Sequence, residues 1–424
     1  MLVFKFGGAS VKDAGGIINL GKVVGAYAAE QLLIVVSAMG KTTNALEKLT
    51  KAYVAQDDDL QEIYEEIKQY HYHIIGELFE PSHPVFNEVA NTFVEIDWML
   101  EDEPHDDYDF IYDQIVSVGE LVSTRIVTAY LNKTGLASRW LDVRGYIHTD
   151  NTYREGVVQW EKTKESIVRD IPALLEKSIL VTQGFLGGTS ENFTTTLGRE
   201  GSDYTASILA SCLGAESVTT WKDVPGILNA DPKYFNDTVK FDELSYTEAI
   251  EMTYYGATVI HPKTIKPLQN TKIPLLVKPF NDPTAAGTII KEDGRNHFEK
   301  PVIILKQNQV LLSLSTRDYS FISETHLSEI FKLFAQSHVK INMMQTSALS
   351  FTVCFDFEEE HFKQLLQSLK AGFKAKYNDN LTLITTRHYT PESLKELTAG
   401  KTVLLEQVSR NTAQVVTAPP NPPR

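Results

Sequence analysis

Leu32-Leu33-Ile34-Val35-Val36-Ser37 is an almost unbroken run of large aliphatic residues, followed at once by the small and polar Ala38-Met39-Gly40-Lys41-Thr42-Thr43-Asn44. No polar residue alternates through the run, so both faces of the strand it predicts are buried, as in parallel sheets covered by helices on two sides. Similar runs stand at Leu2–Phe6, 179–185, 218–222 and 275–278, separated by helical patterns up to about residue 290. The alternation predicts an α/β fold, a three-layer αβα sandwich around a mostly parallel sheet. Residues 44–130 interrupt it with acidic, helix-rich sequence (60–79, 86–100 and 111–131). That insertion is too long for a crossover and reads as a helical lobe on the sheet.

The pattern changes near Lys300. A strand at 310–315 precedes a helical stripe of Leu327, Ile330, Phe331 and Phe334. Strands follow at 339–346 and 349–357, the second alternating Phe351, Val353, Phe355 and Phe357. A second stripe (Phe362, Leu365, Leu366, Leu369, Phe373) and a strand at 381–386 complete the order βαββαβ, the ferredoxin-like pattern. One or two strands are expected within 387–410, around 402–408, and 411–424 reads as a disordered Pro-rich tail. The expected division is therefore 1–295, 303–410 and 411–424.

With 424 residues, 42% hydrophobic and 22% charged, the chain is ordinary for a globular protein of two or three domains. A net charge of −15 argues against nonspecific binding to nucleic acid or anionic membranes. The two cysteines, Cys212 and Cys354, lie in apolar segments and fit a reducing, cytoplasmic setting rather than a disulfide or zinc framework. No apolar run reaches membrane-spanning length.

Several turns carry chemistry. Thr194-Thr195-Thr196-Leu197-Gly198-Arg199-Glu200-Gly201-Ser202-Asp203-Tyr204-Thr205-Ala206 sets an arginine, two glycines, a serine and an aspartate at the entry of an apolar helix. Helix N-termini favour anions, and an arginine grips a carboxylate through two parallel hydrogen bonds. The plainer reading is a glycine turn with a serine cap. Lys5-Phe6-Gly7-Gly8-Ala9-Ser10 leaves the first strand in a diglycine turn, where amides approach an oxyanion and lysine neutralises phosphate; most such turns are only turns. Val118-Gly119-Glu120-Leu121 puts an acid in an apolar helix, readable also as an exposed or paired carboxylate. Trp221-Lys222-Asp223-Val224-Pro225-Gly226 and Asp231-Pro232-Lys233 are turns, and Asp223 could hold a ribose hydroxyl or cap its own turn. The segment from Tyr255 to Pro262 reads as a glycine turn and a proline-opened helix, with no catalytic partner near His261.

Taken in order across about residues 1–290, these segments closely resemble the aspartate kinases of the amino-acid kinase superfamily. The matching blocks are 5–10, 35–44, 117–120, 183–185, 194–206, 221–233 and 255–262. The resemblance implies phosphorylation of L-aspartate to 4-phospho-L-aspartate by ATP and Mg²⁺, the first step toward lysine, threonine and methionine. By it, Lys5, Gly7 and Gly8 face the ATP phosphates, and Ser37, Thr43, Glu120, Phe185 and Arg199 form the aspartate pocket. Ser202 and Asp203 stand where the two substrates meet, with Asp203 orienting Lys5. Lys222, Asp223, Leu228 and Lys233 lie on the nucleotide side. No protein metal ligand is implied, since Mg²⁺ rides on the ATP phosphates.

The chain departs from the commoner family pattern at Ala9, Glu200, Lys222, Lys233 and Thr258. Glu200 adds negative charge beside an anion site and must point away or pair with a lysine such as Lys222. The C-terminal region resembles the ACT domains that bind amino acids in these kinases, with a second repeat that is incomplete. An effector such as lysine or threonine is expected there, although Asn342 replaces an aspartate of lysine-inhibited relatives. Exposed apolar strands in one such module predict a homo-oligomer, most simply a dimer. Rival readings are a kinase of another acid or of UMP, and a catalytically impaired amino-acid sensor. The Glu120/Arg199 pair argues against the first, and retention of Lys5, Arg199 and Asp203 against the second.

Overall fold

The aliphatic runs become strands β1 (Leu2–Phe6), β2 (Leu32–Val36), β4 (Ile179–Gln183), β7 (Ser217–Lys222) and β9 (Leu275–Pro279). Three strands not read from the sequence join them: β3 (Ser138–Leu141), β8 (Glu243–Ser245) and β10 (Thr288–Lys291). In this computed structural model, which describes residues 1–419 except Thr258, Val259, 295–297, 299 and 319, they form one eight-stranded sheet in the order β3-β4-β2-β1-β7-β9-β10-β8. Every neighbouring pair is parallel except β9 and β10. A hairpin of β5 (Leu186–Gly188) and β6 (Thr194–Thr196) stands apart from it.

Ten helices are described in this part of the chain: α1 (Ala14–Gly25), α2 (Thr42–Ala55), α3 (Leu60–Leu78), α4 (Val85–Glu101), α5 (Tyr108–Val116), α6 (Val118–Lys133), α7 (Trp160–Leu175), α8 (Gly201–Leu213), α9 (Tyr246–Tyr254) and α10 (Pro262–Thr271). The expected helix at 111–131 is thus two, meeting at Ser117. One face of the sheet (Phe4, Phe6, Ile34, Val36, Trp221) shares a continuous core with α1 and with the helical lobe α2–α6. Trp221 is fully buried there, stacked on Phe6 and edge-on to Phe4. Period-two alternation turns Val3 and Lys5 to the opposite face, against which α8 packs.

The chain divides into two compact units, Met1–Ile227 with Lys240–Ile250 and Val259–Asn296, and Leu228–Val239 with Glu251–Thr258 and His297–Arg424. The boundary differs from the expected one because two short segments before residue 295 bond within the second unit. Asn229 O accepts from Ile303 N at 2.7 Å, and Glu251 pairs with Arg387 at 2.8 Å.

The second unit has the expected βαββαβ order: β11 (Val302–Thr316), α11 (Glu324–Gln336), β12 (Ile341–Thr346), β13 (Phe351–Asp356), α12 (Glu359–Gly372) and β14 (Phe373–Arg387). It continues through α13 (Pro391–Thr398), β15 (Thr402–Val408) and β16 (Thr412–Ala418). The sheet order is β12-β13-β11-β14-β16-β15, all neighbours antiparallel. β16 corrects the expectation of a disordered 411–424: Thr412–Ala418 pairs on both sides and buries Val415 and Val416, while 420–424 lie outside the described residues. The expectation that strands 310–315 and 349–357 leave an apolar face uncovered is also corrected: Val310, Leu312, Phe351 and Phe355 are buried under α11 and α12. Leu311 and Cys354 on the other face pack with Leu383 and Val416.

Candidate active site

Lys5 ends up where a lysine needs a partner. Its Nζ lies 3.1 Å from Asp203 Oδ2 in the first turn of α8, with both side chains more than nine-tenths buried. Thr220 Oγ1 donates to Asp203 Oδ1 at 3.4 Å. Burial pushes the Asp203 carboxyl up, but the Lys5 and Lys222 charges beside it outweigh that and hold it below its ordinary value. Asp203 is therefore held in its charged form beside Lys5.

Two glycines let the loops around this pair close. A Cβ on Gly8 would sit 2.7 Å from Ala38 O and 2.8 Å from Gly40 O, and Gly40 N already donates to Gly8 O at 3.0 Å. The turns after β1 and β2 thus touch backbone to backbone. A Cβ on Gly184 would lie 2.3 Å from that of Ser202, which seats the start of α8 against the end of β4. Phe185 follows at a positive φ of 72°, its N–H held by Thr205 Oγ1 at 3.0 Å, and its ring lies over Gly201.

Glu120, in the first turn of α6, is buried. Its Oε1 accepts from Ala38 N at 3.3 Å, while Oε2 is buried without a hydrogen-bond partner. Burial pushes its carboxyl up to about 8. A cationic group placed there would satisfy the open oxygen and restore the charge. Ser37, just after β2, is half-buried, its carbonyl bonded by Ser123 Oγ at 2.7 Å, and Thr43 lies in the first turn of α2. Arg199 is exposed and makes no hydrogen bond or close ion pair among the described residues. Glu200 takes the left-handed conformation (φ 54°) and is half-buried. Burial raises its carboxyl, which the Lys222 charge opposes, and its Oε2 is buried without a hydrogen-bond partner.

Lys5, Gly7, Gly8, Glu120, Phe185, Ser202 and Asp203 are therefore linked, through Ala38, Gly184 and Gly201 as well as directly, at the C-terminal edge of the sheet, where open α/β folds bind ligands. Lys222 is half-buried at the end of β7, and Asp223 is exposed beyond it. Leu228 and Lys233 belong to the second unit, where Lys233 N donates to Asp231 Oδ1. Thr258 lies outside the described residues. His261 caps α10 by accepting from Lys263 N at 3.2 Å, ahead of the Pro262 that opens the helix. Sequence reasoning missed Asp113, Gln114 and Gly184; a lone acid on an apolar helix carries no signal of what it holds.

A cavity of about 700 Å³ elsewhere in the first unit is lined by Trp160, Lys164, Tyr204, Cys212 and Lys266 and contains none of these residues. The buried charges, not the volume, mark the candidate site. Among the described residues no group of three or more His, Cys, Asp or Glu could hold a metal ion, and no helix is long and apolar enough to cross a membrane.

Residues 1–279 match the amino acid kinase family. The chain is similar to lysine-sensitive aspartokinase 3 of Escherichia coli (strain K12), 31% identical over 356 residues that span 84% of this chain and 78% of that protein. It is similar to chloroplastic aspartokinase 1 of Arabidopsis thaliana, 32% identical over 379 residues, 86% of this chain and 65% of the relative. The crystal structure of E. coli aspartokinase III with aspartate and ADP superposes with a TM-score of 0.84 at 26% identity, covering 98% of this chain and 96% of the other.

Proposed function

The chain belongs to the amino acid kinase family and, within it, to the aspartokinases, and on that premise we propose how its residues divide the work of moving the γ-phosphoryl group of Mg-ATP to the side-chain carboxylate of L-aspartate. The observation that carries the proposal is the buried Lys5–Asp203 pair beside the Gly7-Gly8 turn, together with the half-satisfied Glu120 that bonds Ala38 N. Aspartate's side chain has a reference pKa of about 3.9 and is ionised at pH 7, so the nucleophile needs no general base. One carboxylate oxygen attacks the γ-phosphorus as the bond to the bridging oxygen breaks and ADP leaves. The work left to the protein is to bring two anions together, align them and absorb charge on the transferring group.

Lys5 and the amides around Gly7 and Gly8 neutralise the phosphates, and Asp203 holds Lys5 in place. Glu120 takes the α-ammonium, Arg199 the α-carboxylate, and Ser37, Thr43, Phe185 and Ser202 shape the pocket. Lys222 and Asp223 serve the nucleotide, and Mg²⁺ arrives with it as part of the substrate. An amino-acid effector binds the second unit, and the chain works as a homo-oligomer. The name of the E. coli relative makes lysine the first candidate effector. Against lysine, Asn342 is already committed, accepting from Lys306 Nζ and donating to Gln309 Oε1, both at 2.8 Å.

The test is ADP release from Mg-ATP across a panel of amino acids, with and without added lysine and threonine. We expect turnover with L-aspartate well above that with L-glutamate or with no amino acid. Equal turnover across the panel, or none, would overturn the assignment.

A further inference from the structure

We propose that Asp113 and Gln114 are positioning residues that fix the spacing between Glu120 and Arg199, and through it the grip on both charged groups of the substrate's amino-acid moiety. This rests on the roles given to Glu120 and Arg199 above.

Asp113 sits in α5 among Ile111, Tyr112 and Ile115 and is wholly buried. Its carboxylate makes no side-chain bond within its own helix. Oδ2 accepts from the backbone N–H of Arg154 and of Thr196, each at 2.8 Å, and Oδ1 accepts from Thr196 Oγ1 at 2.7 Å. Gln114 repeats the device two residues earlier on the same strand: Oε1 accepts from Thr194 N at 3.1 Å and Nε2 donates to Thr194 O at 2.9 Å. Two consecutive side chains thus bond β6 along one edge, as a neighbouring strand would, while β5 pairs with the other. Thr196 O is also taken, by Gly156 N at 2.8 Å. The end of β6 has no slack.

Both substrate-gripping charges hang from this clamp. Leu197 N donates to Phe185 O at 2.8 Å, and Arg199 follows two residues on. From the other side, Ser117 N donates to Asp113 O, Ser117 Oγ to Gln114 O at 3.0 Å, and Glu120 N to Ser117 O at 3.1 Å. The end of α5 and the start of α6, bonded to each other around Ser117, therefore carry Glu120 and hold the strand that presents Arg199. An α-amino acid has a fixed distance between ammonium and carboxylate, so a pocket that loses this spacing loses aspartate specifically. A misplacement of about 1 Å can cost about a hundredfold.

The experiment is a double-mutant cycle on the full chain, read as KM for aspartate and for ATP separately. Arg199→Ala sets the reference loss. Asp113→Ala should raise the aspartate KM about tenfold or more while leaving the ATP KM within about twofold, by the same geometric argument. In the Arg199→Ala background it should add almost nothing, because the residue it positions is gone. Asp113→Asn should restore near-normal KM: its oxygen can accept both N–H groups and its amide can donate to Thr196 Oγ1. Losses that multiply in the double variant, or that fall equally on ATP, would make the clamp merely structural and overturn the proposal. Should Asp113→Ala not fold, Gln114→Glu, which keeps size and loses the donor to Thr194 O, carries the same cycle, with the same results supporting or overturning the proposal. If Arg199→Ala alone leaves the aspartate KM unchanged, the earlier reading of Arg199 has failed and this inference falls with it.

Discussion

Glu120, buried with Oε2 unpartnered, holds its proton up to about pH 8, where 4.5 is the ordinary value. An ammonium seated against it favours the ionised form, so binding aspartate below about pH 8 must release a proton. The aspartate KM should therefore fall as pH rises toward 8, by up to about tenfold per unit, and level off above it. Glu120→Gln, neutral throughout, should raise the KM and abolish the slope. Initial rates at saturating ATP across this range check it, and a wild-type KM that does not change with pH contradicts it. The same raised value means that the stability Glu120 contributes without substrate is full below about 4.5 and is lost as pH rises through about 8. The sequence singles out Lys5, Glu120, Arg199 and Asp203 because each is a charge standing in apolar or glycine-rich surroundings, and the structure pairs Lys5 with Asp203. Asp113 was not, because its meaning depends on Thr196, 83 residues away in sequence.

Elements were legible where burial is complete. β2 and β4 are buried at every position; β2 reads as an uninterrupted aliphatic run and β4 opens with one, Ile179-Leu180-Val181. β3, with three of its four residues partly or fully exposed, β8 and β10 lacked that mark, and Thr412–Ala418 was obscured by the proline-rich residues after it. Close approach between elements was also invisible in sequence. A methyl group on Gly184 would meet the Cα of Ser202 at 2.5 Å and its Cβ at 2.3 Å, neither of which can swing aside. Gly184→Ala should therefore displace the start of α8, where Ser202 and Asp203 sit, and lower kcat about a hundredfold or more. Gly76→Ala, inside α3 with nothing within 4 Å, is the control: activity unchanged and stability higher by about 0.5–1 kcal/mol. Steady-state rates and thermal unfolding of the two variants check both, and a fully active Gly184→Ala enzyme contradicts the close packing.

At the scale of the whole molecule, the sequence located two sheets of different kinds but not the segments before residue 295 that join the second unit. It misjudged what covers the second, since the apolar residues of both faces, Val310 and Phe355 on one and Leu311 and Cys354 on the other, are buried within the chain. The case for an oligomer now rests on open edges. β12 and β15 end the six-stranded sheet, with Met344, Val403, Leu404 and Val408 exposed along them. Such edges favour pairing with another chain. Sedimentation at micromolar concentration should give a dimer or larger, weakened by Val403→Lys with Met344→Lys; a monomeric wild-type chain contradicts this. The central claim, transfer of phosphate to a carboxylate, has a more direct test, because its product is an acyl phosphate. Incubation with Mg-ATP, L-aspartate and hydroxylamine should yield aspartyl hydroxamate in step with ADP. ADP formed with no aspartate-dependent hydroxamate would contradict it.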